Sequence, residues 1–389
     1  MQKFFSGGKA QLAVLAAFFA NGAMMATWVA RIPYVQSNLS LSKGALGVVL
    51  LGLSFGVLTA LSLTGGLIAR YGSPKVTLAG ALGMGLTLPL LLLAPNSVVL
   101  FIALFLFGAF LSAMDVAMNE QAVLVEHQNG RVMMSSFHAF YSIGALVGSL
   151  ISAGAAGLAG FPPALHTALA GLIFGGSMLL GYPHLIPAQP GSVRQTVSFR
   201  LPERALWVLG IIAFCSSVTE GAMADWSGLY LTDIFQAEAG FAALGYAAFS
   251  LTMTAGRLLG DTITRWRTPA FIVRLSGLTA ALGLFLLVFS PTVLLSIVGF
   301  ALVGLGLSNV IPLIYRAAGN TPGIATGVGI AGVATIGYGG SLFGPPVIGF
   351  VAEQATLRAS FLLVALLVGS LVISGRRVAT QSNPSTKED

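Results

Sequence analysis

Four side chains have the type and placement to do chemistry: Asp115, Glu220, His138 and, one helical turn beyond Asp115, Asn119. Each interrupts a stretch that is otherwise apolar. An ionisable side chain inside a membrane helix costs about 2.5–3.5 kcal/mol on insertion scales, so its presence there points to a use. For a carboxyl group with few waters around it, that use is to load and release a proton within the physiological range. Asp115 is read as the proton carrier, with Glu220 of similar standing on a different helix. A structural hydrogen bond to a neighbouring helix is the competing role. His138 is suited to relaying protons or binding a solute, or equally to bridging two helices. Asn21, Asn119 and Asn309 would read hydroxyl groups, and Trp28 would stack on a sugar-like ring. Anchoring at the membrane interface is the competing reading for Trp28 and Trp226, and the favoured one.

Those residues need a scaffold, and composition specifies its kind. The chain has 389 residues, of which 56% are hydrophobic and 8% charged. A soluble domain carries roughly 25% charged residues, and the mean hydropathy here is +0.90. Continuous apolar runs such as 98–114 exclude an outer-membrane barrel, whose strands alternate apolar and polar residues. Helices of about 20 apolar residues are required instead. Pro, Gly and charge divide the chain into twelve such spans, near 10–34, 44–69, 75–94, 97–124, 132–158, 165–186, 204–232, 241–263, 269–290, 292–316, 322–351 and 356–375. The first is read as an uncleaved span because its apolar run is too long for a signal peptide. A polar interval with three arginines separates the sixth span from the seventh.

The bases set the orientation. With both termini cytoplasmic, all but Arg31, Lys43 and Arg358 of the 19 Lys and Arg fall on the inner side, as positive-inside retention requires. The same distribution accounts for the net charge of +7. No basic stripe with interleaved aromatics is present, so nucleic acid is not a partner. The lone Cys215 excludes an internal disulfide and a Cys-based metal site, and neither a metal nor another cofactor is expected. Gly327–Gly332 fits the dinucleotide fingerprint in letters only, since no βαβ unit surrounds it. No Walker sequence provides for ATP, and no nucleophile and base pair suggests an enzyme. Pro345-Pro346 implies a bend in the eleventh span.

The two sets of six spans read as copies. Asn21-Gly22-Ala23-Met24-Met25-Ala26-Thr27-Trp28 matches Glu220-Gly221-Ala222-Met223-Ala224-Asp225-Trp226 with one gap. Gly65 with Arg70 corresponds to Gly260 with Arg265, and Gly108 with Ser112 to Gly304 with Ser308. With these features the chain resembles the major facilitator superfamily along its whole length. The loop signature of that family is seen in Gly65, Arg70, Gly72 and Lys75, with Ala69 where an Asp is usual. Trp28 with Arg31 and Pro33, the run Asp115 to Asn119, His138 with Ser142 and Gly144, and Gly344-Pro345-Pro346 are similar to the fucose-permease-like and rhizopine-permease-like branch. The resemblance implies an acidic proton-coupling residue at Asp115.

The expected fold is therefore all-α and polytopic, with twelve transmembrane helices in two pseudo-symmetric six-helix bundles. The bundles take residues 1–190 and 204–389, joined by a cytoplasmic linker at 191–203. The expected function is alternating-access transport of a small polar solute, sugar-like or cyclitol-like, by proton symport across a bacterial inner membrane. The partners are that solute, protons and the lipid bilayer, and the chain is expected to act as a monomer. Proton-coupled efflux is the alternative in the same class, and a non-transporting membrane sensor the alternative outside it. Arg31 and Asp225 are candidate outer-gate residues, and Glu120 and Arg316 candidate inner-gate residues, from their depths and repeat positions.

Overall fold

A computed structural model describes residues 8–130, 133–158, 160–187, 206–319, 321–322, 324, 326–375 and 378. The expected linker at 191–203 lies outside the described residues. All regular structure described is helical. In chain order the helices are α1 (Lys9–Val29), α2 (Ile32–Asn38), α3 (Lys43–Tyr71), α4 (Ser73–Leu93), α5 (Ser97–Asn129), α6 (Met134–Gly157), α7 (Pro163–Ala170), α8 (Gly176–Gly181), α9 (Trp207–Phe235), α10 (Ala239–Trp266), α11 (Pro269–Phe289), α12 (Val293–Leu307), α13 (Val310–Gly319), α14 (Thr326–Gln354) and α15 (Leu357–Ser374). Ten stretches among the described residues are long and apolar enough to cross a membrane. Helices α10 and α14 stand where the other two expected spans fall.

The chain divides into two compact units, residues 1–197 with 238–247 and residues 198–237 with 248–389. The duplication is visible in the element boundaries. Helix α4 at Ser73–Leu93 and α11 at Pro269–Phe289 are both 21 residues long and displaced by 196 residues. The N-caps of the following helices keep the same displacement: Asn96 accepts from Val99 N at 3.0 Å, and Thr292 accepts from Leu295 N at 3.3 Å.

Packing inside each unit repeats as well. A Cβ on Gly108 would lie 2.3 Å from Leu53 O, and one on Gly304 would lie 2.2 Å from Phe249 O. Any side chain at either glycine must push α5 from α3, or α12 from α10. Small residues allow this backbone approach, which matters because lipid tails supply no hydrophobic drive for helices to associate.

Three expected spans are broken, and proline accounts for two of the breaks. The first span divides at Ala30–Arg31, because Pro33 has no N–H to give to the carbonyl of Val29. The tenth divides at Ser308–Asn309, where Pro312 leaves the carbonyl of Ser308 without its helical donor. The repeat partner of Pro312 is Val116, and α5 is accordingly continuous for 33 residues. The sixth span holds a π-helical turn at Gly171–Gly175, for which we have no physical account. Pro345 and Pro346 lie inside α14, which is helical throughout its 29 residues.

Candidate functional site

In the first unit the chemistry lies on α1, α4, α5 and α6. Asp115 is half-buried on α5, and Asn119 Nδ2 donates to its Oδ1 at 3.3 Å and to its backbone oxygen at 2.8 Å. The four-residue spacing puts both on one helix face. Among the described residues Asp115 faces an amide and no cation. Asn21 on α1 is 1% exposed; its Nδ2 donates to Met84 Sδ at 3.9 Å, while its Oδ1 is buried with no donor. His138 on α6 packs edge-on against Phe18 of α1, with ring centroids 5.2 Å apart.

In the second unit Glu220 lies on α9 with Oε1 buried and unpaired. Its charged neighbour is Arg257 of α10, and Tyr315 of α13 feels both Glu220 and Tyr338 of α14. Arg257, counted among the inner-side bases within the expected span 241–263, lies in α10 nine residues before its end, where a cation near a carboxylate is compatible with a membrane helix. Tyr315 occupies the repeat position of Asn119. Asn309, expected to meet solute, has its Nδ2 on Gly256 O at 3.0 Å and on Ser308 Oγ at 3.0 Å, so the amide ties the break between α12 and α13 to the backbone of α10.

One further expectation is corrected. Trp28 and Trp226 are both 0% exposed with unpaired indole nitrogens, so neither anchors at a lipid interface. Arg31 and Asp225, the candidate outer-gate residues, are buried at 4% and 8% exposure. The partner of Arg31 is His166 of α7, whose Nδ1 accepts from Arg31 Nε at 3.3 Å. Nothing in the spacing foretold it, since the two are 135 residues apart.

The loop motif has a clear backbone role. Gly72 ends α3 and opens α4 at φ +83°, a left-handed conformation that favours glycine. The Arg70 guanidinium lies over the Tyr71 ring at 5.1 Å. Lys75 and Gly72 line an open pocket with Tyr182 and Pro187. Gly65 is an exposed residue in the last two turns of α3.

The nearby Glu120 accepts from Ser73 Oγ at 3.2 Å, and Arg316 lies in the last turn of α13. Beside Glu120, Gln121 was missed in the sequence. It is 0% exposed, donates to Ser73 Oγ at 2.9 Å and Ile186 O at 2.8 Å, and accepts from Ile186 N at 2.8 Å. It ties the strand of chain after α8 to α4 and α5. Gln121→Leu is expected to cost about 2–3 kcal/mol, because it leaves the Ile186 amide groups unsatisfied. A melting midpoint in detergent unchanged from wild type would refute that role.

Two long stacks of membrane-spanning helices, related by duplication and carrying isolated ionisable groups at membrane depth, define a polytopic membrane carrier. Residues 13–334 match the Major Facilitator Superfamily, and the chain belongs to it. It is 35% identical over 370 residues to an uncharacterized MFS-type transporter of Yersinia pestis, covering 95% of each. Its fold is similar to a variant of the nucleoside transporter NupG, with TM-score 0.77 and 11% identity over 96% of this chain and 100% of that one. It is also similar to a variant of the E. coli fucose:proton symporter FucP, with TM-score 0.61 and 18% identity over 96% and 98%. The protein is a multi-pass membrane transporter of small molecules.

Proposed function

We propose that this chain is a proton symporter of a small sugar-like or cyclitol-like solute, working by alternating access in a bacterial inner membrane with both termini cytoplasmic. One observation carries the reading: Asp115 sits at membrane depth with an amide as its partner and no described cation beside it. A carboxylate facing a cation is held in its charged form, whereas one held by an amide is free to change charge. Glu220, with Arg257 opposite, is the weaker coupling candidate and the stronger structural one. His138, half-buried on α6, is the proposed proton relay. Asn21 Oδ1, a buried acceptor without a donor, fits a solute hydroxyl. Trp28, Asn119 and Asn309 serve the solute through the walls around it, since their own polar atoms are enclosed or engaged.

The gates are part of the same proposal. Arg31 with Asp225 closes the outside, and Glu120 with Arg316 closes the inside, each pair forming in one state of the cycle. In a Cys215→Ser background, paired cysteines at 31 and 225 should cross-link only when the outside is shut, and those at 120 and 316 only when the inside is shut. A pair that never cross-links, with or without solute, is not a gate. The reading as a whole is tested by uptake into proteoliposomes under an imposed proton gradient, with Asp115→Asn as the decisive variant.

A further inference from the structure

Arg31, already proposed as half of the outer gate, is paired in this structure with His166, which the transport reading does not use. Arg31 lies in the turn between α1 and α2, and His166 in the first turn of α7, just after Pro162 and Pro163. Each is 4% exposed. Because Nδ1 of His166 accepts from Arg31 Nε, the imidazole is neutral with its proton on Nε2. That makes Nε2 a second donor, alongside the remaining N–H groups of the guanidinium. Both His166 Nε2 and Arg31 Nη2 are buried with no partner. Leaving one such donor unsatisfied is costly, and a charged one more so. The pair lacks an acceptor with two oxygens and one negative charge.

A carboxylate fits that description. Its two oxygens match two adjacent N–H donors, and its single charge matches the one guanidinium, the imidazole being neutral. A phosphate monoester at neutral pH carries nearly two charges and would leave one uncompensated. A neutral hydroxyl would satisfy a donor but not the charge. Tyr34, 40% exposed, is close enough to act on Arg31.

We propose that Arg31 and His166 bind the carboxylate of the transported solute, so that the substrates are acidic relatives of sugars or cyclitols, of the aldonate or uronate kind. The inference rests on the reading of the chain as a carrier of small polyhydroxylated solutes. It names which of them.

The test is calorimetric binding to the full-length protein in detergent, with D-gluconate and D-galacturonate set against D-glucose, D-galactose and D-glucose 6-phosphate. The acids are expected to bind roughly tenfold or more tightly than their neutral and phosphorylated counterparts, the usual reward of one charge-assisted bidentate contact. Arg31→Gln should remove that preference. His166→Asn keeps an acceptor for Arg31 Nε, but its remaining N–H donor is drawn back from the Nε2 position by the shorter side chain, so it should lower acid affinity by roughly severalfold and leave the gate residue in place. Should Arg31→Gln fail to fold, His166→Asn still decides the matter. Acid affinity unchanged in the variants that fold, or wild-type protein that binds neither acid, overturns the proposal. Proton-driven uptake of a neutral sugar that ignores Arg31→Gln would overturn it too, together with the outer-gate role of Arg31, while leaving the reading as a proton symporter intact.

Discussion

Asp115→Asn is expected to abolish accumulation of solute while sparing exchange. One charge moved through a membrane potential of 100 mV releases about 2.3 kcal/mol. At 1.4 kcal/mol per factor of ten, one-proton symport of a neutral solute can therefore build a gradient of about 50-fold; with a singly charged acid the two charges cancel, and each unit of pH gradient supplies about tenfold instead. Asparagine preserves the size of the side chain and its hydrogen bond with Asn119, but it cannot carry a proton. The accumulation ratio should fall from tens to about one. Counterflow of labelled solute, which needs the alternating cycle but no net proton movement, should persist. Measuring both in one proteoliposome preparation separates a coupling defect from a folding defect. Accumulation that survives the substitution would mean the proton travels elsewhere, and Glu220→Gln would be the next variant to examine.

The second large effect concerns Glu220 and Arg257. Glu220→Gln takes away the carboxylate that faces Arg257 inside the membrane-spanning part of the second unit. An uncompensated charge in such a place is expensive. Either single substitution, Glu220→Gln or Arg257→Gln, should lower stability in detergent by about 2–4 kcal/mol, at or somewhat below the range for broken buried pairs because both residues are only half-buried. The double variant should cost less than the sum of the two, with a coupling energy of about 1–3 kcal/mol. Coupling indistinguishable from zero would show that the two side chains act independently. Solute binding that disappears in Glu220→Gln but returns in the double variant would locate their contribution in charge balance rather than in contact with solute.

Much of the scaffold was legible before any coordinates. Spans could be counted because hydrocarbon offers backbone groups no hydrogen bonds, so each crossing must be a helix of apolar residues. The second-half boundaries at α11 and α12 followed those at α4 and α5 because both halves carry the same kind of cap at the same place, Asn96 in one and Thr292 in the other. The helix breaks were within reach too. Pro33 and Pro312 are plain in the sequence, and a missing N–H has a fixed consequence four residues upstream.

What no reading of spacing supplied was the partner of each polar side chain. Hydropathy does not distinguish a helix face turned to lipid from one turned to a neighbour. Arg257 was therefore counted only as an inner-side base, although Glu220 on another helix feels its charge. Gln121 meets the backbone of Ile186, 65 residues on, and Arg31 meets His166, 135 residues on. Such pairings depend on how helices rotate and pack, which is decided by glycines such as Gly108 and Gly304 letting particular backbones touch. The sequence by itself determined that this is a duplicated, helical membrane carrier with very few ionisable groups at depth. Only the tertiary structure decided which of those groups have a charged neighbour, as Glu220 has in Arg257, and which still lack an acceptor, as with Arg31 and His166, because a partner across helices is a property of packing and not of order along the chain.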